Sequence, residues 1–384
     1  MQAESFSWEG TLSQEAITIL AQHAVQGKLT GADTAMARWL VFAYTHHDLP
    51  LDYRVFIPTL EKLHYALLNN LFHQEEETRF LEVAAMFVQN CIEYVRKHRH
   101  FIDEDPDKHV VQLEFALKNL HLLNKTVEIT DENDMSLRLK KVPVLDLHVK
   151  NHQSLPMQVQ WAAVSSLEDW YHFIFDKMPL ETNRLLKLKN ITEMVNFLNN
   201  DLRGICANFQ KVFHDSLGMD YSRMAFEIYE KQLTEASHEL IETSCDKLRP
   251  VIFGNDNDYV DDTMTTGTTL FELYLALQEF SGIGQQVFRG VARATEMSNN
   301  HSWFTKAVAR WLEIALFKAM ERITKAVNLD ELSPVDEYVK HSSSAVDIKT
   351  VLVQIKTFWQ QLNWPDVEAS YAFISKILDV SIFL

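Results

Sequence analysis

Apolar residues recur every three or four positions along most of the chain, which is the period of an amphipathic α-helix. One series runs through Met194, Val195, Leu198, Leu202, Ile205, Phe209, Val212 and Phe213. A second runs through Phe304, Val308, Leu312, Leu316, Met320, Ile323 and Val327. Trp311 and Phe317 lie off the second stripe, so we expect neighbours to cover more than one side of that helix. The pattern predicts an all-α fold.

Several residues mark where these helices begin and end. The segment 333–336 combines a serine, a proline and an aspartate, which is typical of a helix start. Ser344 and Asp347 have the spacing of a capping box, which predicts that Ser344 caps another helix. Pro365 predicts the end of that helix and the start of the next.

Two polar stretches, 125–142 and 247–265, interrupt the periodic pattern and predict connections between helical bundles. We therefore expect three bundles, at 1–130, 143–246 and 266–384. No strict repeat of 20 to 50 residues stands out, so the sequence does not indicate a regular solenoid.

Composition agrees with a folded helical protein. The 384 residues are 47% hydrophobic and include 10 glycines and 9 prolines, fewer than folds with many tight turns require. The net charge of −17 disfavours nucleic acid as a partner, because binding phosphates requires clustered cations. Neither a secretory signal nor an apolar run of about 20 residues is visible, so we expect a cytoplasmic chain that reaches membranes only indirectly. The cysteines Cys91, Cys206 and Cys245 are widely spaced, which favours reduced thiols.

The motifs of nucleotide, serine-hydrolase and zinc-protease sites are all missing from the sequence. Two Glu-x-x-His pairs occur, Glu61 with His64 and Glu235 with His238, and helical di-metal enzymes use this spacing. Solvated helix faces are the simpler explanation of the pairs. We expect no enzyme activity, no cofactor and no metal, with a di-metal enzyme as the alternative.

Other polar clusters have similarly plain interpretations. His46 and His47 are expected near the carbonyls of a helix end, with a metal site as the alternative. The acidic stretches starting at Asp131 and Asp256 lack the ligand spacing of an EF-hand. The runs 74–79 and 103–107 predict a helix start and an acidic turn, or a surface for a basic partner.

The segment from His341 to Glu368, "HSSSAVDI…QLNWPDVE", resembles the start of the first Munc-homology region of the Munc-thirteen (Unc-thirteen) family. Segments in the same order also resemble that family, namely "SWEGTLS" at 7–13, "TTLFELYLALQEF" at 268–280 and "SWFTKAVARWL" at 302–312. The likeness is greatest to the non-neuronal branch of Munc-thirteen-four and the BAI-associated protein.

The resemblance implies part of a MUN module, an elongated rod of consecutive helical bundles similar to vesicle-tethering subunits. It implies exocytosis and vesicle priming through SNARE proteins such as a syntaxin, with a Rab-type small GTPase as a further partner. It also implies a location peripheral to secretory vesicles, late endosomes or the plasma membrane. The family's C2 domains are missing from this sequence, which implies no calcium sensing by these residues.

The resemblance also points to a partner-binding site on the helix that follows Ser344. Neuronal members carry an asparagine and, three residues later, a phenylalanine that are tied to opening syntaxin. Val353 and Lys356 occupy these positions here, on the side of the helix opposite its expected core face. The expected core residues are Ile348, Val351, Leu352, Ile355, Phe358, Trp359 and Leu362.

Two further expectations follow. The first Munc-homology region, at about 331–384, stops early relative to the family, with apolar residues at Ile382, Phe383 and Leu384, which suggests a fragment. The alternative to a SNARE-binding scaffold is a structural spacer, and these alternatives differ in whether Val353 and Lys356 contact a partner.

Overall fold

The computed structural model describes residues 11–101, 105–132, 154–179, 181–250, 257–289, 296–331, 333, 338, 340–368, 370–371 and 374–375. Every regular element in these ranges is helical, which confirms the all-α prediction. The α-helices are α1 (Gln14–Gln26), α2 (Gly31–Asp48), α3 (Ile57–Leu68), α4 (Gln74–Lys97), α5 (Pro106–Glu132), α6 (Leu155–Lys177), α7 (Arg184–Gly204), α8 (Gln210–Leu217), α9 (Tyr221–Cys245), α10 (Asn257–Val287), α11 (Thr305–Asn328) and α12 (Ser343–Leu362). Shorter helical segments are Tyr53–Val55, His98–Phe101, Ile205–Phe209 and Glu296–Phe304.

The run 74–79 begins α4, as predicted, whereas in the predicted acidic turn at 103–107 the structure describes Asp105 before α5 and residues 106–107 within that helix. In α4, the Glu76 carboxylate accepts a 2.9 Å hydrogen bond from the backbone N–H of His73. Asp105 precedes α5, and its carboxylate accepts from the N–H of Lys108 at 3.2 Å. Carboxylates at these positions satisfy N–H groups that have no partner within the helix and favour the positive end of its dipole.

The predicted connections are wrong in part. Helix α5 continues to Glu132 and α10 already begins at Asn257, whereas the sequence predicts loops over 125–142 and 247–265. An established helix extends through polar residues because each added residue gains a backbone hydrogen bond, while only the first turn is costly. Residues 247–250 form no helix, as predicted, whereas 133–142, 251–256 and the start predicted at 334–336 lie outside the described residues.

The chain divides into two compact units. The first contains Met1–Ile174 and Gly204–Ala225, and the second contains Phe175–Arg203 and Phe226–Leu384. The three-bundle boundaries and the rod arrangement stay predictions.

An aromatic cluster forms the centre of the first unit. Phe56 and Phe87 lie 4.4 Å apart between ring centroids, and Trp39 lies 4.9 Å from Phe80. All four side chains are fully buried. Burial of large aromatic side chains is the main source of stability in such a core.

A buried polar group in the first unit joins distant parts of its sequence. His98 lies 2.6 Å from the Val95 carbonyl through Nδ1, so this nitrogen carries the proton and donates. Tyr221 then donates its hydroxyl to Nε2 at 3.1 Å. The Tyr221 ring stacks on Phe213 at 4.2 Å. The segment 204–225 is therefore part of this core.

The two apolar series behave largely as predicted. All eight positions of the first series are buried, along α7, the π-helical segment Ile205–Phe209 and α8. The sequence does not predict the π-helical segment. In the second series, on α11, Trp311 is buried as expected, but Val327 is 52% exposed near the helix end.

Glycines allow close packing in the second unit. The Trp311 indole donates to the Gly267 carbonyl on α10 at 2.7 Å. Gly284, further along α10, lies against the ring of Phe226, where no Cβ would fit without movement. Side-chain-free positions thus let α10 approach its neighbours closely.

Candidate partner-binding surface

The helix that carries the predicted site, α12, is held at both ends. Ser342 is its N-cap residue, and the hydroxyls of Ser343 and Ser344 donate to the Asp330 carboxylate at the end of α11. The prediction that Ser344 caps this helix is therefore wrong. Its hydroxyl is engaged by a neighbouring helix, which competes with local capping.

The C-terminal end of α12 is anchored by α10. The carbonyl of Leu362 accepts hydrogen bonds from the Tyr274 hydroxyl at 2.8 Å and from the Gln278 amide at 3.0 Å. Burial raises the pKa of Tyr274 to about 12, so its hydroxyl remains a donor near neutral pH. Asn363 follows with a φ of 41°, a left-handed conformation that asparagine tolerates and that ends helices. Helix α12 ends before Pro365, as predicted.

The packed side of α12 is close to the predicted one. Val351 and Leu362 are buried, and Ile348, Ile355, Phe358 and Trp359 are half-buried. Leu352 was expected in the core but is 36% exposed. On a helical wheel Leu352 lies about 100° from Val351, at the margin of the face that α10 and α11 cover.

The outward face of α12 is formed by Val346, Lys349, Thr350, Val353, Lys356 and Thr357. Val353 is 54% exposed and Lys356 is exposed, so both family-matched positions lie on the accessible surface. The hydroxyls of Thr350 and Thr357 donate back to the carbonyls of Val346 and Val353, at 2.9 Å each. These bonds satisfy the hydroxyls within the helix.

The charge of α12 differs from that of the whole chain. Lys349 and Lys356 are its cations and Asp347 its single carboxylate, so the helix is net positive in a chain of −17. The outward face therefore combines aliphatic side chains with flanking cations. This surface can contact an amphipathic helix that bears carboxylates.

The Glu-x-x-His pairs do not converge on a metal in the described residues. Glu61 and Glu235 are exposed. His64 contacts the Thr126 hydroxyl at 2.9 Å, and His238 lies against the Trp303 ring at 4.8 Å. No group of three potential metal ligands occurs among the residues that the structure describes.

His46 lies at the end of α2, as predicted, but its contact differs from the expected one. Its Nδ1 accepts a hydrogen bond from the Leu51 N–H at 2.9 Å, so it does not donate to helix carbonyls through this atom. Burial lowers the pKa of His46 to about 4, which keeps the ring neutral. Cys91, Cys206 and Cys245 are all free thiols.

Sequence reasoning located the outward face but missed the residues that fix α12. Tyr274 and Gln278 are four residues apart, so a helix places them on one side, and this spacing is the only available signal. The described helices include none long and apolar enough to cross a membrane.

The chain matches known proteins along nearly all of its length. It is 29% identical to protein unc-13 homolog 4B of Drosophila melanogaster over 98% of the chain and 33% of that protein. It is 25% identical to human unc-13 homolog D over 98% of the chain and 32% of that protein. For human BAI1-associated protein 3 the identity is 26%, over 95% of the chain and 28% of that protein.

The chain thus spans about a third of the length of these relatives. No protein-family model matches it, and no solved structure does. The relatives confirm that the chain resembles the Munc-thirteen (unc-13) family, and within it the branch of homologs 4B and D and BAI1-associated protein 3.

Proposed function

We propose that this chain is part of an exocytic scaffold that binds SNARE proteins and helps vesicles to dock and fuse. The proposal depends chiefly on one observation. At the positions that match the residues tied to syntaxin opening in neuronal family members, α12 presents Val353 and Lys356 on its exposed face. The similarity to unc-13 homologs over 98% of the chain supports this interpretation.

The outward face has the pattern required to hold a helix alongside it. Val346 and Val353 are seven residues apart, which is two helical turns, and both are exposed. Aliphatic anchors at this spacing provide affinity, and flanking Lys349 and Lys356 favour acidic partners. SNARE proteins assemble as helical bundles, so a fixed template that holds one helix in place lowers the cost of nucleation.

The activity that we propose is partner binding and tethering, without the specific syntaxin-opening step. Valine and lysine replace the neuronal asparagine and phenylalanine at 353 and 356. A Rab-type small GTPase is a second proposed partner, and the proposed location is the periphery of secretory vesicles, late endosomes or the plasma membrane. Because the chain spans a third of its relatives, the proposal concerns this segment.

The proposal is tested with the 384-residue chain and a purified syntaxin-type SNARE. The variant Val353→Glu/Lys356→Glu places carboxylates on the outward face and should weaken binding at least about tenfold. The matched control is Val327→Glu/Lys325→Glu on α11, which makes the same changes at an exposed valine and lysine. The control should bind like the original chain.

A structural spacer gives a different result. If the original chain shows no affinity for the SNARE, or if both variants bind equally well, the outward face of α12 is not the binding surface. Circular dichroism and thermal melting of both variants check that the fold is retained, which exposed substitutions should preserve.

A further inference from the structure

A groove of about 370 Å³ opens where α10, α11 and α12 meet within the second unit. Its apolar lining comes from all three helices and includes Phe271, Trp311, Ile314, Ala315, Ile355 and Phe358. Phe271 and Phe358 lie 4.8 Å apart and close one end of it. The volume is within the roughly 300–1,000 Å³ of ligand pockets, although this groove is open.

The charged residues that line the groove are both cations. Lys318 and Arg322 lie one turn apart on α11, and both are exposed. Arg322 donates to the Gln354 amide oxygen on α12 at 2.8 Å, which holds part of its guanidinium at the groove edge. No ion pair joins either cation to another residue in the described ranges. The remaining guanidinium N–H groups are therefore available to donate to a carboxylate of a partner.

The shape of the groove fits a short helix. Along α11 the lining runs from Trp311 to Arg322, about 16 Å at 1.5 Å per residue. That length accommodates about three turns of a partner helix, with anchors at i, i+4 and i+7. The small side chains of Ala315 and Ala319 and the bare Gly267 keep the floor low enough to admit larger side chains.

The groove is separate from the outward face of α12. Val351, Ile355 and Phe358 line it, whereas Val353 and Lys356 lie about 100–160° away around the same helix. Neither family-matched residue lines the groove. The groove is a second surface, and its occupancy does not require the proposed SNARE contact.

We propose that this groove binds an acidic amphipathic helix of a protein partner, with apolar anchors on the lining and carboxylates on Lys318 and Arg322. Charge complementarity selects this occupant, because the chain as a whole carries −17 while the groove edge carries only positive side chains. An anionic membrane surface is disfavoured, since the rest of the chain repels it.

A charge-swap experiment with the full chain tests the proposal. The probes are two fluorescein-labelled amphipathic helical peptides of about 18 residues, identical except that one has glutamates where the other has lysines beside the leucine anchors. By fluorescence anisotropy the original chain should bind the glutamate peptide at least about tenfold more tightly. The variant Lys318→Glu/Arg322→Glu should reverse this preference. The matched control, Lys28→Glu/Arg38→Glu in the first unit, makes the same changes at an exposed lysine and an exposed arginine and should keep it.

A steric variant provides an independent measurement. Ala315→Trp fills the groove and should weaken binding of both peptides, with an unchanged circular dichroism spectrum. If Ala315→Trp does not fold, the charge-swap result alone decides, because Lys318 and Arg322 are exposed and their replacement does not disturb the core.

Three results would overturn the proposal. They are no binding of the glutamate peptide, an equal loss in the Lys28→Glu/Arg38→Glu control, and phosphatidylserine vesicles that bind through Lys318 and Arg322 while the peptides do not. None of these measurements uses a SNARE or Val353, so this proposal and the proposed function fail separately.

Discussion

Three glycines of α10 give a sharp test of how this helix packs. Alanine in place of glycine within a helix stabilises it by about 1 kcal/mol from propensity alone. At Gly282 an added Cβ would meet nothing within 4 Å, so Gly282→Ala should gain most of that amount. The other two positions add a packing cost to the same gain, and the cost depends on what the Cβ meets.

At Gly284 the added Cβ would lie 2.5 Å from Cε2 of Phe226 and in close contact with the rest of the ring edge. The Phe226 ring is buried and stacks on Phe280 at 4.7 Å, so it cannot move freely. Overpacking of this kind costs about 1–3 kcal/mol. After the propensity gain, Gly284→Ala should be destabilised by up to about 2 kcal/mol. At Gly267 the Cβ meets one terminal methyl, of Ile314, at 2.8 Å, so the two effects should nearly cancel.

Urea unfolding followed by circular dichroism measures the series, with Gly282→Ala as the control for helix propensity. The free energies of unfolding of Gly282→Ala and Gly284→Ala should differ by about 1–3 kcal/mol, which is the packing cost alone because both variants share the propensity gain. Phe226→Leu should restore part of the loss in the Gly284→Ala background while destabilising the original chain, which a double-mutant cycle detects. Equal stability of the Gly282 and Gly284 variants would refute the packing argument.

Two further predictions concern stability. Burial lowers the pKa of His46 to about 4 and that of His98 to about 3. Below about pH 6.5 these two histidines therefore bind protons in the unfolded chain but stay neutral in the folded chain. Their contribution to the free energy of unfolding is complete above that pH and should fall by about 2 kcal/mol per histidine between pH 7 and 5. Urea midpoints measured across this pH range check the prediction, and a stability that does not change with pH would contradict it. Tyr274→Phe removes one hydrogen-bond donor to the Leu362 carbonyl and should lower the free energy of unfolding by about 1 kcal/mol. Amide hydrogen exchange at the end of α12 should become faster. Unchanged exchange would show that the Gln278 hydrogen bond alone holds this end of the helix.

The sequence predicts helices well here because the apolar period is local information. The series from Met194 to Phe213 is buried throughout, since each of its positions repeats at the spacing of one helix face. Helix ends are less predictable. Ser344 has the spacing of a cap, yet its hydroxyl donates to Asp330, and the sequence does not show that these residues meet.

Of the two candidate surfaces, the outward face of α12 can be predicted from the sequence, whereas the groove cannot. The outward position of Val353 follows from the period of α12 alone. The groove requires three helices to meet without filling the space between them, and that depends on contacts such as Trp311 with Gly267. Long-range contacts of this kind leave no periodic signal in the chain.

The first unit of the fold is discontinuous in sequence, since 204–225 completes a core begun before residue 175. A ribosome adds residues in order, so His98 is synthesised more than a hundred positions before Tyr221, its hydroxyl partner. Folding of this unit during translation must therefore wait while 175–203 emerges. Until then the buried ring of Phe213 has not reached its site, and the nascent chain exposes the aromatic surface that it later covers.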